Sequence, residues 1–252
     1  MIKSKKLSKI KNLKHGFFNS KGGISKNIYK SLNCGPGSKD KSSNVRKNLE
    51  LVRKKIKRTA KDIFLLNQIH SNKFIYIDEE YQFKSKPKVD AVITNQKNLP
   101  IAILTADCVP ILICDSKKKI IAAVHAGWKG ALKGIVDKVI KFMIKKGSKP
   151  QNITAVIGPC ISIDNYEVQN DFKNKFLRKD RKNKIFFKSK YKKLYFDLSK
   201  YVKSLLLKNK VKKIEKIKID TFDIKNKFFS ARRALSLKHD DYGRNISIIM
   251  LN

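Results

Sequence analysis

Four short apolar runs in the middle of the chain constrain its fold more than any other feature. Turn-forming residues separate these runs, which are Val89–Thr94, Ile101–Thr105, Ile111–Cys114 and Ile120–His125. Each run is continuously apolar rather than alternating, a pattern typical of strands that are covered on both faces. We therefore expect a central sheet that is buried between other layers of the protein.

The flanking segments alternate between helical and strand-like patterns. Ser43 or Asn44 can cap a helix through Lys57, the periodicity of Ala131–Lys146 predicts a second helix, and Asp197 can cap a third through Lys208. Further strands are predicted at Ile63–Ile69, Ile153–Ile157, Ile214–Asp220 and Ile246–Leu251, with a polar loop at Lys84–Lys88 and a surface helix and loop at Lys173–Lys193.

Neither an internal repeat nor a long linker divides the sequence. The 252 residues fit one large domain. We predict the α/β class in its mixed α+β form: a single domain over residues 1–252, with mixed sheets flanked by helices. A chain of this length does not require a metal or disulfides merely to fold, so a metal site here would serve function.

The charge of the chain is extreme, with 59 basic against 20 acidic residues and a net charge of +39. A polyanion partner is one interpretation. However, only eight of the basic residues are Arg, the residue that best reads bases, and the Lys residues are dispersed instead of forming a stripe. Because Lys, Asn and Ile are abundant together, AT-rich coding explains the charge, and we predict no specific nucleic-acid partner.

The cysteines and the N-terminus indicate the compartment. No apolar segment follows the basic start Met1–Lys6, and no run approaches the length of a membrane span. We expect a cytoplasmic protein without a membrane partner and with reduced thiols. Of the four cysteines, Cys34 and Cys114 are expected to be small apolar fillers of the core.

Three residues of metal-binding type lie at or after the ends of apolar runs: His70, Cys108 and His125. Their spacing is far wider than that of a zinc finger, so only the fold can bring them together. Three protein ligands would leave one metal position open, as in catalytic zinc sites. The alternative for each residue alone is a structural role in the core.

A series of motifs follows in order along the chain. The main ones are Gln68-Ile69-His70-Ser71, Asp90-Ala91-Val92-Ile93-Thr94, Ala106-Asp107-Cys108-Val109-Pro110, His125-Ala126-Gly127-Trp128-Lys129-Gly130 and Asp241-Tyr242-Gly243-Arg244. With these motifs, residues 15–251 strongly resemble the YfiH/laccase-domain family, which is named for multicopper polyphenol oxidases and has members that act as purine nucleoside phosphorylases. The tandem Ala-Asp-Cys and His-Ala-Gly-Trp pieces carry most of this resemblance.

The resemblance implies a CNF1/YfiH-like mixed α/β fold and zinc bound by His70, Cys108 and His125. It implies phosphorolysis of adenosine, inosine, guanosine and methylthioadenosine, together with adenosine deamination. The expected partners are small molecules, namely purine nucleosides and phosphate, and the protein is expected to be a monomer or weak homodimer. A bacterial branch of the family is also linked to the correction of peptidoglycan precursors.

Several further residues have the chemistry that these reactions need. Asp107, beside a ligand, is a candidate proton donor. Arg232, Arg233 and Arg244 are candidates for bidentate phosphate binding, and they stand out because Arg is scarce in this chain. Cys160 is a candidate catalytic nucleophile, for which it would need a neighbouring base.

The histidine content of the chain, and two positions at which it differs from the family pattern, refine this interpretation. The chain has four His and no His-x-His pair, too few for a laccase mechanism, although copper could still occupy a nitrogen and sulfur site. His15 is the only uncommitted His that lies within the family pattern, so it is the candidate base for Cys160. Lys21 stands where many family members carry Arg, and Ser236 lies near the place of a family His.

Three hypotheses remain open from the sequence. The first is a zinc-dependent purine nucleoside phosphorylase with adenosine deaminase activity. The second is an amidase that edits peptidoglycan precursors, suggested by Cys160. The third is a basic RNA-associated protein with a structural metal, suggested by the net charge of +39.

Overall fold

Three of the four central apolar runs lie in one six-stranded sheet, and the fourth lies in a separate three-stranded sheet. The structure, a computed structural model, describes residues 1–82 and 85–252. Lys84, the first residue of the predicted polar loop, is outside the described residues.

The described residues form seven α-helices and twelve strands, with five strands in succession in the middle of the chain. The helices are α1 (Lys5–Ser8), α2 (Ser42–Ile56), α3 (Trp128–Leu132), α4 (Ile135–Lys145), α5 (Asn170–Lys179), α6 (Leu198–Lys208) and α7 (Ala231–Ser236). The strands are β1 (Leu13–Phe17), β2 (Phe74–Ile77), β3 (Ala91–Thr94), β4 (Ile101–Thr105), β5 (Val109–Asp115), β6 (Ile120–Ala126), β7 (Ile153–Ile157), β8 (Glu167–Val168), β9 (Phe187–Lys190), β10 (Lys193–Phe196), β11 (Lys213–Lys216) and β12 (Asn245–Leu251).

The strands form three sheets: the large sheet is mixed, and the two smaller sheets are antiparallel. The large sheet has the order β11-β7-β5-β6-β3-β2, the second has the order β1-β12-β4, and a small third sheet has the order β8-β10-β9. Within the large sheet, β5 and β6 are antiparallel, whereas the outer pairs β11·β7 and β2·β3 are parallel. The predicted mixed α/β class, with sheets flanked by helices, is confirmed.

Alternate residues of the central strands pack into different cores. On β5, Ile111 and Ile113 pack with α4 and α6, whereas Leu112 and Cys114 pack against the three-stranded sheet. The outer face of the three-stranded sheet then packs on α2. The layers are therefore helix, sheet, sheet and helix, which explains why strands covered on both faces are continuously apolar.

Two predicted elements are wrong, and two more are only partly right: β11 ends at Lys216 instead of Asp220, and the segment Lys173–Lys193 contains strand β9 besides its helix. The run Ile63–Ile69 makes only an isolated bridge, from Phe64 to Ile101, because the Gln68 side chain bonds both backbone groups of Leu104 in place of a strand partner. The predicted helix Ala131–Lys146 is two helices, α3 and α4, separated where Gly134 adopts a φ of +87°. An apolar run does not show whether a strand partner is available, and a helical periodicity does not show where the helix is divided.

Of the two predicted helix caps, the structure confirms the one at α6 but not the one at α2. Asp197 caps α6 by accepting the Lys200 N–H at 2.7 Å, as predicted. Helix α2, in contrast, begins at Ser42 after Lys41 and has no side-chain cap at that position.

Both filler cysteines are confirmed: Cys34 and Cys114 are fully buried among apolar side chains. One domain over residues 1–252 stays a prediction.

Candidate metal centre

The fold brings His70, Cys108 and His125 together, although they are far apart in sequence. One ligand atom from each lies within 4.8 Å of the others. His125 is the penultimate residue of β6, and Cys108 directly precedes β5, which pairs with β6 so that Pro110 lies opposite His125. His70 reaches the site from a loop with a φ of +55°.

A buried carboxylate, Asp90, arranges two of these three residues. Its Oδ1 atom lies 2.8 Å from His125 Nδ1 and accepts the His70 N–H at 2.9 Å. Its Oδ2 atom accepts the Ser71 N–H at 2.6 Å and the Ser71 hydroxyl at 2.7 Å. We call His70, Cys108 and His125 the metal group. Because the Asp90 carboxylate occupies Nδ1 of His125, it directs Nε2 of that ring towards the other two members of the metal group, as partners of metal-binding histidines do.

Gly127 leaves the space that the ligands occupy. A Cβ atom at this position would lie 2.6 Å from His70 Nδ1 and 3.1 Å from Cys108 Sγ. Real Cβ atoms do not approach other atoms as closely as the first of these distances, so any larger residue would displace a ligand. The glycine of the His-Ala-Gly-Trp motif is thus required by close approach to the metal group.

The thiol and the imidazole stabilise each other's charged forms. Burial raises the pKa of Cys108, but the neighbouring imidazoles, His125 foremost, outweigh it and lower that pKa to about 6. Burial lowers the pKa of His125, but the Cys108 thiolate and Asp90 outweigh it and raise that pKa to about 9. A divalent metal would take the place of the shared proton, since both ligands bind metal in deprotonated form.

This donor set fits a metal ion. Two imidazoles and one thiolate suit zinc or copper, and three protein ligands leave a position for another molecule. His125 is 3% exposed, Cys108 is half-buried, and His70 is exposed, so the group opens to solvent on the His70 side. The three residues predicted as ligands can therefore hold a metal at an accessible site.

A cavity of about 500 Å³ opens directly beside the metal group. This volume lies in the range of small-molecule sites. Leu65, Leu66 and Leu104 give it an apolar wall, while Arg244 and Lys86 bring positive charge. The remaining lining residues include Gly35, Gln68 and Tyr242 beside the three metal-binding residues. The cavity thus combines an apolar surface, a cation and a metal group.

The three predicted phosphate-binding arginines occupy different environments. Arg244 lines the cavity. Arg233 instead donates to the carbonyls of Thr221, Phe222 and Phe228, which engages both terminal nitrogens with the backbone. Arg232 donates to the Glu167 carbonyl at 2.9 Å, and it is not among the residues that line this cavity. Of the three, only Arg244 lines the cavity beside the metal group.

Asp107, the predicted proton donor, is buried behind Cys108. Its carboxylate accepts from the Thr221 hydroxyl at 2.6 Å, the Ser230 hydroxyl at 2.9 Å and the Arg232 N–H at 2.7 Å. Burial raises its pKa, which favours the protonated acid. These contacts also anchor the segment that begins α7 to the backbone beside the metal group.

Cys160, the predicted nucleophile, lies in a different environment from Cys108. It is 5% exposed and lies in the core that the large sheet forms with helices α4 and α6, and burial raises its pKa to about 12. The His proposed as its base, His15, uses Nε2 to accept the Ser4 N–H at 2.9 Å. This environment keeps the thiol protonated and does not favour nucleophilic attack.

The remaining predicted residues have structural surroundings. Trp128, in the His-Ala-Gly-Trp motif, packs on Phe172 with ring centroids 4.9 Å apart, so its ring belongs to the core. Lys21, at the position of a family Arg, lines a separate cavity of about 540 Å³. Ser236 is exposed at the end of α7.

Sequence reasoning missed Asp90 and Tyr242 as site residues. Both stand in motifs that were recognised, but no role was assigned to either. A signal existed for Asp90, because a carboxylate directly before a wholly apolar strand is expensive to bury without partners. Tyr242 gave no such signal, since its place at the cavity depends on the loop that brings it there.

The comparison with protein families gives one match over almost the whole chain. The family described as multi-copper polyphenol oxidoreductase laccase matches residues 14–252. Among the residues that the structure describes, no helix is both long and apolar enough to cross a membrane.

Similar proteins and structures extend this finding. A protein named purine nucleoside phosphorylase from Rickettsia conorii is 37% identical over 74% of this chain and 77% of its own. Another of that name, from Bacteroides thetaiotaomicron, is 31% identical over 100% of this chain and 96% of its own. The crystal structure of the hypothetical protein YfiH of Bacillus licheniformis has a TM-score of 0.88 at 27% identity, covering 97% of this chain and 95% of that one. A DUF152 protein of Neisseria meningitidis has a TM-score of 0.84 at 29% identity, covering 96% and 95%.

Proposed function

Since this chain belongs to the family described as multi-copper polyphenol oxidoreductase laccase, we propose that it is a zinc-dependent purine nucleoside phosphorylase. Adenosine, inosine, guanosine and methylthioadenosine are the proposed substrates, which react with phosphate to give the free base and ribose 1-phosphate. Adenosine deamination is proposed as a second activity of the same site. The names of the relatives from Rickettsia and Bacteroides support the phosphorylase reaction.

One observation carries the proposal: the metal group and Arg244 line the same cavity of about 500 Å³. The apolar wall of Leu65, Leu66 and Leu104 suits a flat base. The Arg244 guanidinium suits phosphate, which it can bind bidentately. A site of this composition would hold both substrates of a phosphorolysis close to the metal.

The protein groups have distinct proposed roles. His70, Cys108 and His125 would hold the zinc ion, which when bound supplies Lewis-acid polarisation of a substrate atom. Arg244 binds and orients phosphate. Asp107 is the proposed proton donor, because burial raises its pKa and its peptide adjoins Cys108. Arg232 and Arg233 are proposed to support the site through the α7 segment, since their side chains donate to backbone carbonyls.

Copper remains an alternative occupant, because it binds such donors more tightly than zinc. The oxidase chemistry in the family description needs several copper centres, whereas one group of three His and Cys residues was found among the described residues. The four free cysteines fit the reducing cytoplasm, where we place the reaction.

Metal analysis and a nucleoside panel test the proposal. The zinc-loaded protein should release base and ribose 1-phosphate from adenosine or inosine only when phosphate is present. Phosphate-independent release of ammonia from adenosine would measure deamination separately. If the zinc-loaded protein turned over no purine nucleoside, the proposal would fail.

Two substitutions test the assigned roles. Cys108→Ala should lose both metal and activity, whereas Cys114→Ala, in the core between the sheets, should keep the metal. Retained stoichiometric zinc in Cys108→Ala would contradict the ligand assignment. Arg244→Gln should raise KM for phosphate by about tenfold, the loss expected for one charge-assisted hydrogen bond.

The two alternatives have weaker support. Amidase activity on a peptidoglycan precursor would need a reactive Cys160, whose thiol is buried with a raised pKa. Mass spectrometry of a muramoyl-amino acid incubated with the protein would detect it. An RNA-associated role draws on the net charge of +39, and a filter-binding titration with salt would detect affinity that persists at physiological ionic strength.

A further inference from the structure

Two separate loops form the rim of the cavity on the side of Arg244. The first contributes Gly35, Pro36 and Gly37, and the second contributes Tyr242 and Arg244. Since the loops are about 200 residues apart in sequence, something must hold them in register. The Cys34 N–H donates to the Arg244 carbonyl at 3.1 Å, the Arg244 N–H donates to Asn33 Oδ1 at 2.9 Å, and one carboxylate, Asp241, makes hydrogen bonds to both loops.

Asp241 divides its two oxygens between the loops. Oδ2 accepts the Tyr29 hydroxyl and the Lys39 N–H, both at 2.7 Å. Oδ1 accepts from Arg244 Nη1 at 2.8 Å. The Asp241 side chain is 9% exposed, so these bonds are shielded from water. Burial raises its pKa, but the hydrogen bonds from Lys39 and Tyr29, with smaller contributions from others, outweigh burial and lower the pKa to about 2.

Arg244 is fixed along its whole length. Its N–H donates to Asn33 Oδ1 at 2.9 Å, and its guanidinium lies 4.3 Å from the centre of the Tyr242 ring. A Cβ atom on Gly35 would lie 2.6 Å from Arg244 Cδ, so the arginine stem passes directly over that glycine. The Tyr242 carbonyl accepts a second bond from Nη1.

These contacts use only one nitrogen of the guanidinium. Within residues 1–82 and 85–252, Nη1 makes both hydrogen bonds, and Nε and Nη2 donate to no protein acceptor. The side chain of Arg244 is 23% exposed, and it lines the cavity beside the metal group. A guanidinium that is held at one nitrogen and free at its other edge is oriented to receive an anion with two oxygens.

We propose that Asp241 is a positioning residue for Arg244: it clamps Nη1 to the Tyr29–Lys39 loop and thereby aims the free edge of the guanidinium at the anionic substrate. This inference rests on the proposed function, with inorganic phosphate as the anion. Asp241 does not touch the substrate. Its contribution is to reduce the number of arginine rotamers that must be frozen when phosphate binds.

Removing the carboxylate has two opposite effects, and their balance can be measured. Asp241 partly neutralises Arg244, so its loss makes the cavity more positive and favours phosphate. Its loss also weakens the hold on Nη1 and on the Tyr29–Lys39 loop, which leaves the guanidinium edge less well oriented and weakens phosphate binding. If positioning dominates, Asp241→Asn raises KM for phosphate, whereas if charge dominates, the same variant lowers it.

The experiment compares three variants of the zinc-loaded protein. We expect Asp241→Asn to raise KM for phosphate at least fivefold, with kcat and KM for the nucleoside changed less than twofold. Tyr29→Phe removes one of the bonds to Oδ2 without changing charge, and it should raise KM for phosphate about twofold. Asp240→Asn is the matched control: it removes a neighbouring charge that pairs with exposed Lys39 Nζ at 2.6 Å, and it should leave KM unchanged.

Direct phosphate binding separates this inference from the proposed reaction. Calorimetric titration with inorganic phosphate should show the same order of affinity, even if no nucleoside is cleaved. An unchanged or lower KM and dissociation constant for phosphate in Asp241→Asn would overturn the inference, whatever Tyr29→Phe shows. So would a wild-type protein that binds no phosphate, or an Asp240→Asn variant that loses affinity as much as Asp241→Asn.

Discussion

Asp90→Asn is the substitution that most directly tests how the metal group is organised. Asp90 is fully buried and accepts from His125, His70, Ser71 and Ile69. Asparagine has nearly the same shape but replaces one acceptor oxygen by an NH2 donor. The fold should accommodate its volume, so the effect reports on the lost charge and the lost acceptor oxygen rather than on packing.

Either orientation of the amide creates a conflict. If the NH2 group replaces Oδ1, it faces the His70 N–H, and it drives His125 to the tautomer whose Nε2 carries a proton and cannot bind metal. If it replaces Oδ2, it faces the Ser71 N–H, which lies 2.6 Å from that oxygen in the native protein. In the first case the His70 N–H loses its acceptor, and in the second the N–H groups of both Ser71 and Ile69 do, at a cost of about 1–3 kcal/mol for each group.

We therefore expect Asp90→Asn to bind metal about 10–100-fold more weakly, as is usual when the partner of a metal-binding histidine is lost. Competition with a chromophoric chelator measures this affinity, and urea unfolding of the metal-free protein measures the stability loss. Asp115→Asn is the control, since Asp115 is equally buried but accepts from Lys117 and Lys118 at the opposite end of β5. Native metal affinity in Asp90→Asn would refute the reasoning.

Three further predictions follow from single contacts. Gly127→Ala should weaken metal binding at least about tenfold in a chelator titration, because the added Cβ would lie 2.6 Å from His70 Nδ1; Gly37→Ala, where nothing lies within 4 Å, is its control. Burial lowers the pKa of His15 from 6.5 to about 4, so the unfolded chain binds a proton at this residue more readily than the folded protein does. The contribution of His15 to the free energy of unfolding is therefore fully present above pH 6.5, and about 3 kcal/mol of it is lost as the pH drops to 4. His15→Gln should flatten that part of the urea-unfolding profile, and an unchanged slope would count against the assignment. Arg233→Lys should lower the free energy of unfolding by about 1–3 kcal/mol while phosphate KM stays within twofold, and the reverse pattern in unfolding and kinetics would show that Arg233 binds substrate.

The candidate metal ligands could be proposed from sequence because their surroundings are local. Cys108 and His125 adjoin two continuously apolar runs, and those runs pair as antiparallel neighbours in the structure. The chemistry of a thiolate and two imidazoles is also a property of residue type. His70 was harder to place, because the strand expected before it does not form and Asp90 holds the loop instead.

The distribution of roles among the arginines could not be predicted. The scarcity of Arg in the sequence drew equal attention to Arg232, Arg233 and Arg244, yet their guanidinium groups contact different partners in the structure. Backbone carbonyls engage Arg233, whereas an aspartate and a tyrosine ring hold Arg244 beside the cavity. No property of an arginine in the sequence reveals which acceptors the fold will place around it.

The buried central strands, the mixed α/β class and the types of residue available to bind metal could all be predicted from the amino-acid sequence. Strand burial follows from local apolarity, and ligand chemistry follows from the side chain, so neither needs a long-range contact. Three features could be known only from the packed structure: one apolar run joins a second sheet, Asp90 fixes His70 and His125, and Asp241 connects two distant loops at Arg244. Those features are contacts between residues far apart in the chain, and their energies exist only once the layers have packed together.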